Sequence, residues 1–472
     1  MGLLKFKIPD CWPLERRQAS SLHVVGLDGI AWPCRIGRED QLLTVNRNKD
    51  ESGHLFMAYP FPEDGELVVS TGTLPEGTTP YDLTRELARG TLNRLRNQLS
   101  NWQEGGLQLD EAILAAVQEA TNALEQCIFA TDSLLAEKAA AASLAASMRA
   151  TFGLSQAFAE QITPIRRAQV NVPKFWFGAR LRQWDQAVAA RLGGHFEIIQ
   201  LDHCTDLDPS IQNAVLGPLL DASPNGLSPA LLEADDFDAR RNLLMAEVRE
   251  QAGNLPPAVK MIHAVAGLNG TGHRQLSYPQ QLQAAIDVLQ TLEDSGNRCP
   301  TMISFDGPWC EKLAWSVGGV HALQIADSLL RRGVTVNMLG LEIHLDYSPT
   351  GSLAREPLQW VELVDTWSQF GLPLVILLRA PFGYEPPTAV GRPASGDLVI
   401  NQPRGGLQDH QRLRLLETVL PMLLARPAVQ GIVWQQARDG DDPRYPGSGL
   451  LDDQLVPKPA LHLFDQLREK FF

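Results

Sequence analysis

The chain has 472 residues, 44% of them hydrophobic and 20% charged, with a formal charge of −14 and a pI near 5.2. That acidity argues against a nucleic-acid backbone or an anionic membrane as partner, because there is no basic stripe to release counterions. The length exceeds one ordinary domain and suits a barrel of about 250–300 residues with smaller parts attached. No run approaches the ~18 apolar residues of a membrane span.

The opening stretch, MGLLKFKIPDCWPLERRQ, lacks the apolar region of a secretory signal, so a cytoplasmic location is expected. Residues 1–78 read as a small β-sandwich. Apolar runs such as LLKFKIP, QLLTVNR, HLFMAYPF and ELVVSTGTL are separated by Asp-Gly, Asn-Lys-Asp and Pro-Glu-Gly turns. Trp12, Trp32, Phe56 and Tyr59 are read as core aromatics rather than a sugar-stacking surface. From Thr79 the period changes to that of a helix, and residues 79–160 are expected to form a helical hairpin and connector. Its Arg85, Arg89, Arg94 and Arg96 read as a solvated face, with contact to another subunit as the alternative. Gln161 to Lys174 is expected to be a linker.

The most informative segment runs from Met302 to Leu345. MISF ends on Asp306, Leu323, Ile325, Ala326, Leu329 and Leu330 follow at helical spacing, Gly333 closes that helix, and MLGLEIHL carries Glu342 and His344. This is a βαβ unit with polar residues collected at its strand ends, where barrels of such units build their sites. Adjacent parallel strands lie ~4.8 Å apart, which brings Asp306 and Glu342 within general acid/base reach of each other. The competing structural reading has Asp306 capping the turn before Pro308 and Glu342 paired with Arg379.

The FDG and GLEIH strand ends, with GIVW and the closing GLLDDQLVPKPALHLFDQL (Gly449–Leu467), resemble glycoside hydrolase family 10, the xylanase-type barrel. The resemblance implies a (β/α)8 TIM-type barrel over residues 174–472, with strands ending near His203, Asp221, Gly267, Asp306, His344, Leu378 and Trp434. Within that barrel one βα unit is expected to be shortened, since CTDLDPSIQN leaves little room for a helix between the second and third strands. A retaining glycosidase needs two carboxyl groups about 5–5.5 Å apart. In the family these are glutamates ending the fourth and seventh strands, and here Gly267 or Leu268 and Leu378 stand in their places. The third-strand histidine is also missing, with Asp221 near its position.

By the same resemblance Trp309, His344, Tyr347, Trp434 and Asp221 would line the mouth and bind substrate, while Asp306 and Glu342 are the catalytic candidates if the barrel is active. Three functions follow. The first is a non-hydrolytic barrel that binds an oligosaccharide or polysaccharide, or serves as a scaffold for a protein partner or a homo-oligomer. The second is a glycoside hydrolase with relocated carboxylates, and the third is a structural assembly protein. An open aromatic groove would favour sugar, and a mouth plugged by residues 382–401 would oppose it. No HExxH, Walker loop, nucleophile elbow or dinucleotide fingerprint occurs, and His195, His203, His263, His273 and His344 lack zinc-ligand spacing. No metal and no cofactor are therefore expected. Cysteines 11, 34, 127, 204, 299 and 310 are scattered and expected to be reduced.

Overall fold

The computed structural model describes the chain apart from residues 1, 10–18, 78, 170–174, 204–207, 209–210, 224–225, 270–275, 316–318, 385–400 and 472. The readings of Trp12, Cys11, Cys204, His273 and most of the 382–401 loop lie outside the described residues. Four described cysteines, Cys34, Cys127, Cys299 and Cys310, are free thiols. No helix among the described residues is long and apolar enough to cross a membrane.

The N-terminal region holds two four-stranded sheets. One orders Cys34–Glu39, Leu42–Arg47, Gly2–Lys7 and Tyr81–Asp82, and the other Ala31–Trp32, His23–Gly26, Gly53–Phe61 and Gly65–Ser70. Alternation buries one face of each sheet, with Leu4, Phe6, Leu43 and Val45 in the first and Leu55, Met57, Leu67 and Val69 in the second. Three helices follow instead of the expected two: Leu83–Glu104, Glu111–Phe129 and Ser133–Ala168. The third is long and rich in small residues, so it lies close against the other two and against barrel helices Pro357–Ser368 and Asp409–Leu424. It also absorbs half of the expected linker. Buried Arg166 donates to the carbonyls of Leu424 and Val429, which fastens that end of the helix to the barrel.

The barrel strands are Trp176–Leu181, Ile198–Leu201, Ala214–Leu216, Val259–Leu268, Thr301–Asp306, Met338–His344, Leu374–Arg379 and Val429–Trp434, all parallel and in chain order around the ring. Ala214–Leu216 pairs with both its neighbours, and Leu220–Asp221 continues the third position against Val265 and Ala266, so the ring is closed. This is the (β/α)8 architecture. Among the described residues no helix separates the second and third strands, as the short connection requires.

Side chains alternate between the lumen and the helix layer. Toward the strand starts the lumen is apolar, filled by Val215, Met261, Met302, Val375, Leu377 and Val433. Toward the strand ends it turns polar, with Arg180, Gln200, His263, Ser304, Glu342 and Arg379 all buried. Gly340 makes space for this layer, since a Cβ there would stand 2.6 Å from that of Ser304.

The N-terminal region braces the mouth. Val68 N–H donates to the Ala354 carbonyl and Glu66 N–H to that of Gly406, so an edge strand of the sheet is extended by barrel loops. Gln359 donates to the Val68 carbonyl, and Arg94 pairs with Glu356 at 3.0 Å and Glu362 at 3.2 Å. The arginine face read as solvated is thus partly docked on the barrel. Beneath it Arg355 meets Glu311 at 3.0 Å, both almost fully buried. Removing one member of such a pair leaves an uncompensated charge, and Arg355→Met is expected to cost about 3–5 kcal/mol. A lower urea midpoint checks this, and an unchanged midpoint contradicts it.

Candidate active site at the barrel mouth

Asp306 ends the fifth strand in direct register with Glu342, two residues before the end of the sixth. His344 stands between them, its Nε2 3.7 Å from Asp306 Oδ1 and 3.6 Å from Glu342 Oε2. All three are buried. Neither arrangement of the competing structural reading is present. Asp306 pairs with Lys312 at 2.8 Å, and Arg379 goes to Asp442 at 2.7 Å and lies over the ring of Tyr445.

Glu342 is tightly held. Its Oε1 accepts from the Gly267 N–H at 2.7 Å and from the Ser304 hydroxyl at 2.5 Å. Burial pushes its carboxyl up, but the His344 imidazole and the Ser304 hydroxyl outweigh that and hold it well below the usual carboxylate range. Asp306 is less completely used. Among the described residues its Oδ1 has no hydrogen-bond partner, nor do Nδ1 of His344 and Oδ1 of Asn269. Asn269 sits beside Asp306, donating from Nδ2 to its backbone carbonyl at 2.8 Å.

An ion-pair belt completes the rim. Arg444 bridges Asp442 at 2.9 Å, Ser223 at 3.0 Å and Asp221 at 3.4 Å. Burial raises the carboxyl of Asp442, but Arg379 and Arg444 drive it far below the usual range. Asp221 is likewise raised by burial and lowered on balance by Arg444 and Ser223. Asp221 therefore reaches the rim, engaged with protein partners.

The aromatic residues expected to line the mouth are placed elsewhere. Tyr347 and Trp434 are 0% exposed, and each spends its polar hydrogen on a backbone carbonyl, of Pro446 and Ser448 respectively. Trp434 packs into the helix layer against Phe464, because its position in the alternation turns it outward. Trp309 packs edge-on against Trp360 under Arg355, at the junction with the N-terminal region. Leu378 belongs to the outward-facing core as well, so the lumen position at the end of the seventh strand is taken by Arg379. Sequence reasoning missed Trp184, which lines a rim cavity of about 460 Å³ with Arg182, Asp185, Asp202, His203 and Arg438. Its signal was a tryptophan placed just after the first strand end.

Gly267, which with Leu268 was expected to stand where the family-10 resemblance implies a glutamate, has a constrained backbone. Its φ is +67°, and a Cβ would lie 2.3 Å from the backbone nitrogen of Ser223. Any side chain there must displace the backbone at Ser223 or lose the hydrogen bond to Glu342. Gly267→Ala should destabilise by about 1–3 kcal/mol. A thermal midpoint within a degree of the parent would contradict this.

No group of three or more His, Cys, Asp or Glu side chains among the described residues is arranged to hold a metal ion. No family model and no curated protein matches the chain. Solved structures do show similarity. Xylanase B from Clostridium stercorarium F9 is 14% identical over 62% of this chain and 96% of that one, with a TM-score of 0.41. Xylanase 10B from Thermotoga maritima is 13% identical over 63% and 95%, TM-score 0.41. An intracellular xylanase from Thermoanaerobacterium saccharolyticum is 12% identical over 63% and 99%, TM-score 0.43. The likeness is one of fold.

Burial holds His23, His263 and His321 at about 4, below their ordinary 6.5. The unfolded chain therefore takes up protons that the folded chain refuses. Stability is complete above pH 6.5 and falls as pH drops toward 4, by up to about 1.4 kcal/mol per pH unit for each ring. Urea midpoints at pH 7, 6 and 5 should decline in that order, and a constant midpoint would exclude the effect.

Proposed function

We propose that the barrel mouth binds a hydroxyl-rich ligand of the carbohydrate class without hydrolysing it. The observation that carries this reading is the set of acceptors without a partner among the described residues, Asp306 Oδ1 and Asn269 Oδ1, near the strand ends beside His344. Buried acceptors without partners are costly, and sugar hydroxyls are donors that satisfy them. Trp184 at the rim cavity supplies an aromatic face of the kind on which sugar rings stack.

Hydrolysis is disfavoured by the way both carboxylates are occupied. A retaining pair must flank the glycosidic bond, with one member protonated to serve as the acid. Here an imidazole lies between the two groups, an ammonium holds one, and the other is kept ionised by its donors. The relocated-pair reading nevertheless keeps one supporting observation, the direct register of Asp306 with Glu342.

Titration calorimetry with xylotriose and with a panel of other neutral pentose and hexose oligosaccharides is expected to give binding by at least one member. Asp306→Ala should weaken that binding by about tenfold to a hundredfold, the worth of a hydrogen bond to a charged group. No release of reducing ends should accompany it. Absence of binding across the panel overturns the proposal. Turnover abolished by Asp306→Asn or Glu342→Gln replaces it with the hydrolase reading.

A further inference from the structure

A chain of hydrogen bonds crosses the lumen beneath the mouth and ends on Glu342. Arg180 Nη1 donates to Gln435 Oε1 at 3.3 Å, Gln435 Nε2 to Gln200 Oε1 at 3.4 Å, and Gln200 Nε2 to Nδ1 of His263 at 3.1 Å. His263 Nε2 then meets Ser304 Oγ at 2.7 Å, and Ser304 donates to Glu342. Every member is buried.

The direction of this chain is fixed by groups that have only one role. Gln200 Nε2 also contacts the Gly217 carbonyl at 2.9 Å, and a carbonyl only accepts, so the amide nitrogen of Gln200 faces that way. The same nitrogen therefore donates its second hydrogen to His263 Nδ1, which must be the bare nitrogen of the ring. Arg180, which only donates, fixes Gln435 in the same sense. The proton of His263 then resides on Nε2, the hydroxyl hydrogen of Ser304 is left for Glu342, and an ionised carboxylate is the acceptor that ends the series. A second proton on His263 would set two donors face to face at Gln200, consistent with a pKa of about 4.

We propose that His263 and Ser304 are positioning residues for the mouth: they hold the Glu342 carboxylate ionised and in place, with His263 locked as the neutral Nε2–H tautomer. Neither touches the ligand. The functional consequence rests on the carbohydrate-binding reading, whereas the tautomer and the carboxylate position do not.

Selective [15N]histidine labelling of the full chain, with the His263 signals assigned by their loss in His263→Gln, reads the tautomer directly. A neutral ring with bare Nδ1 from pH 8 to 5.5 is expected, and an Nδ1–H tautomer or a charged ring at pH 6 overturns the proposal. In a crystal structure of Ser304→Ala the Glu342 carboxylate should move by about 1 Å or more, beyond the tolerance of a held site, and an unmoved carboxylate also overturns it. For whichever oligosaccharide of the panel binds, Ser304→Ala and His263→Leu should each lose about tenfold in affinity. His263→Gln, whose amide can accept and donate in the same order, should retain it. If His263→Leu does not fold, Ser304→Ala carries the comparison. If no sugar binds the parent protein, the binding reading fails, and the tautomer and the carboxylate position still decide this one.

Discussion

A carboxylate placed in the lumen of a closed barrel has exchanged water for whatever the strands supply, and the mouth of this protein is organised around that requirement. Desolvation of an ion costs several kcal/mol unless donors replace the lost water. Glu342 finds them in a backbone N–H of the fourth strand, a hydroxyl of the fifth and an imidazole of its own strand. The left-handed turn at Gly267 brings the N–H into reach, and Ser304 has room only because position 340 is glycine. The carboxylate thus dictates residue types on three strands.

The same requirement accounts for the division of the lumen into an apolar floor and a polar upper layer. Methionines, valines and leucines seal the end at which the strands begin. The ionised groups gather where the strands end and are matched in pairs, Arg180 with Asp202, Arg379 and Arg444 with Asp442, and Lys312 with Asp306. Tyr445 is packed within this belt, under Arg379 and against His344, whereas the alternation turns Trp434 outward and the packing at the N-terminal junction captures Trp309. The two carboxylates at the centre of the mouth are thus both engaged by protein groups, Asp306 by Lys312 and Glu342 by Ser304 and the Gly267 N–H.

The N-terminal sheets and the three helices act on the site through the loops they hold. The loop after the sixth strand, which leaves directly from His344, is paired at Ala354 with the edge strand Gly65–Ser70, and Glu311 beneath it receives Leu353 N–H as well as Arg355. On the far side, Arg166 ties the long helix to the backbone at the start of the eighth strand. The barrel is therefore braced by parts of the chain that carry none of its mouth residues.

The amino-acid sequence by itself located the strands around Asp306 and Glu342, but not the parity of the last two, since Leu378 and Trp434 were expected at the mouth and face the helix layer. The apolar runs MISF and MLGLEIHL carry Asp306 and Glu342 near their ends, which makes them neighbours once the strands are parallel. The shortened second connection was legible in the same way, because ten residues cannot hold a full crossover helix. Polar residues set inside apolar strands, Gln200 in IIQL, His263 in MIHAVAGL and Ser304 in MISF, were also visible, but nothing local says which of them meet. The partners of the mouth lie far apart in the chain, Arg444 with Asp221 across 223 residues and Arg180 with Gln435 across 255. Tertiary structure decided that Glu342 pairs with Ser304 and His344 rather than Arg379, that Tyr347 and Trp434 are covered, and that the arginine face of the first long helix docks on the barrel. Local propensity fixes where a side chain leaves the backbone, whereas its partner is set by barrel closure, which joins strands that no short-range pattern connects.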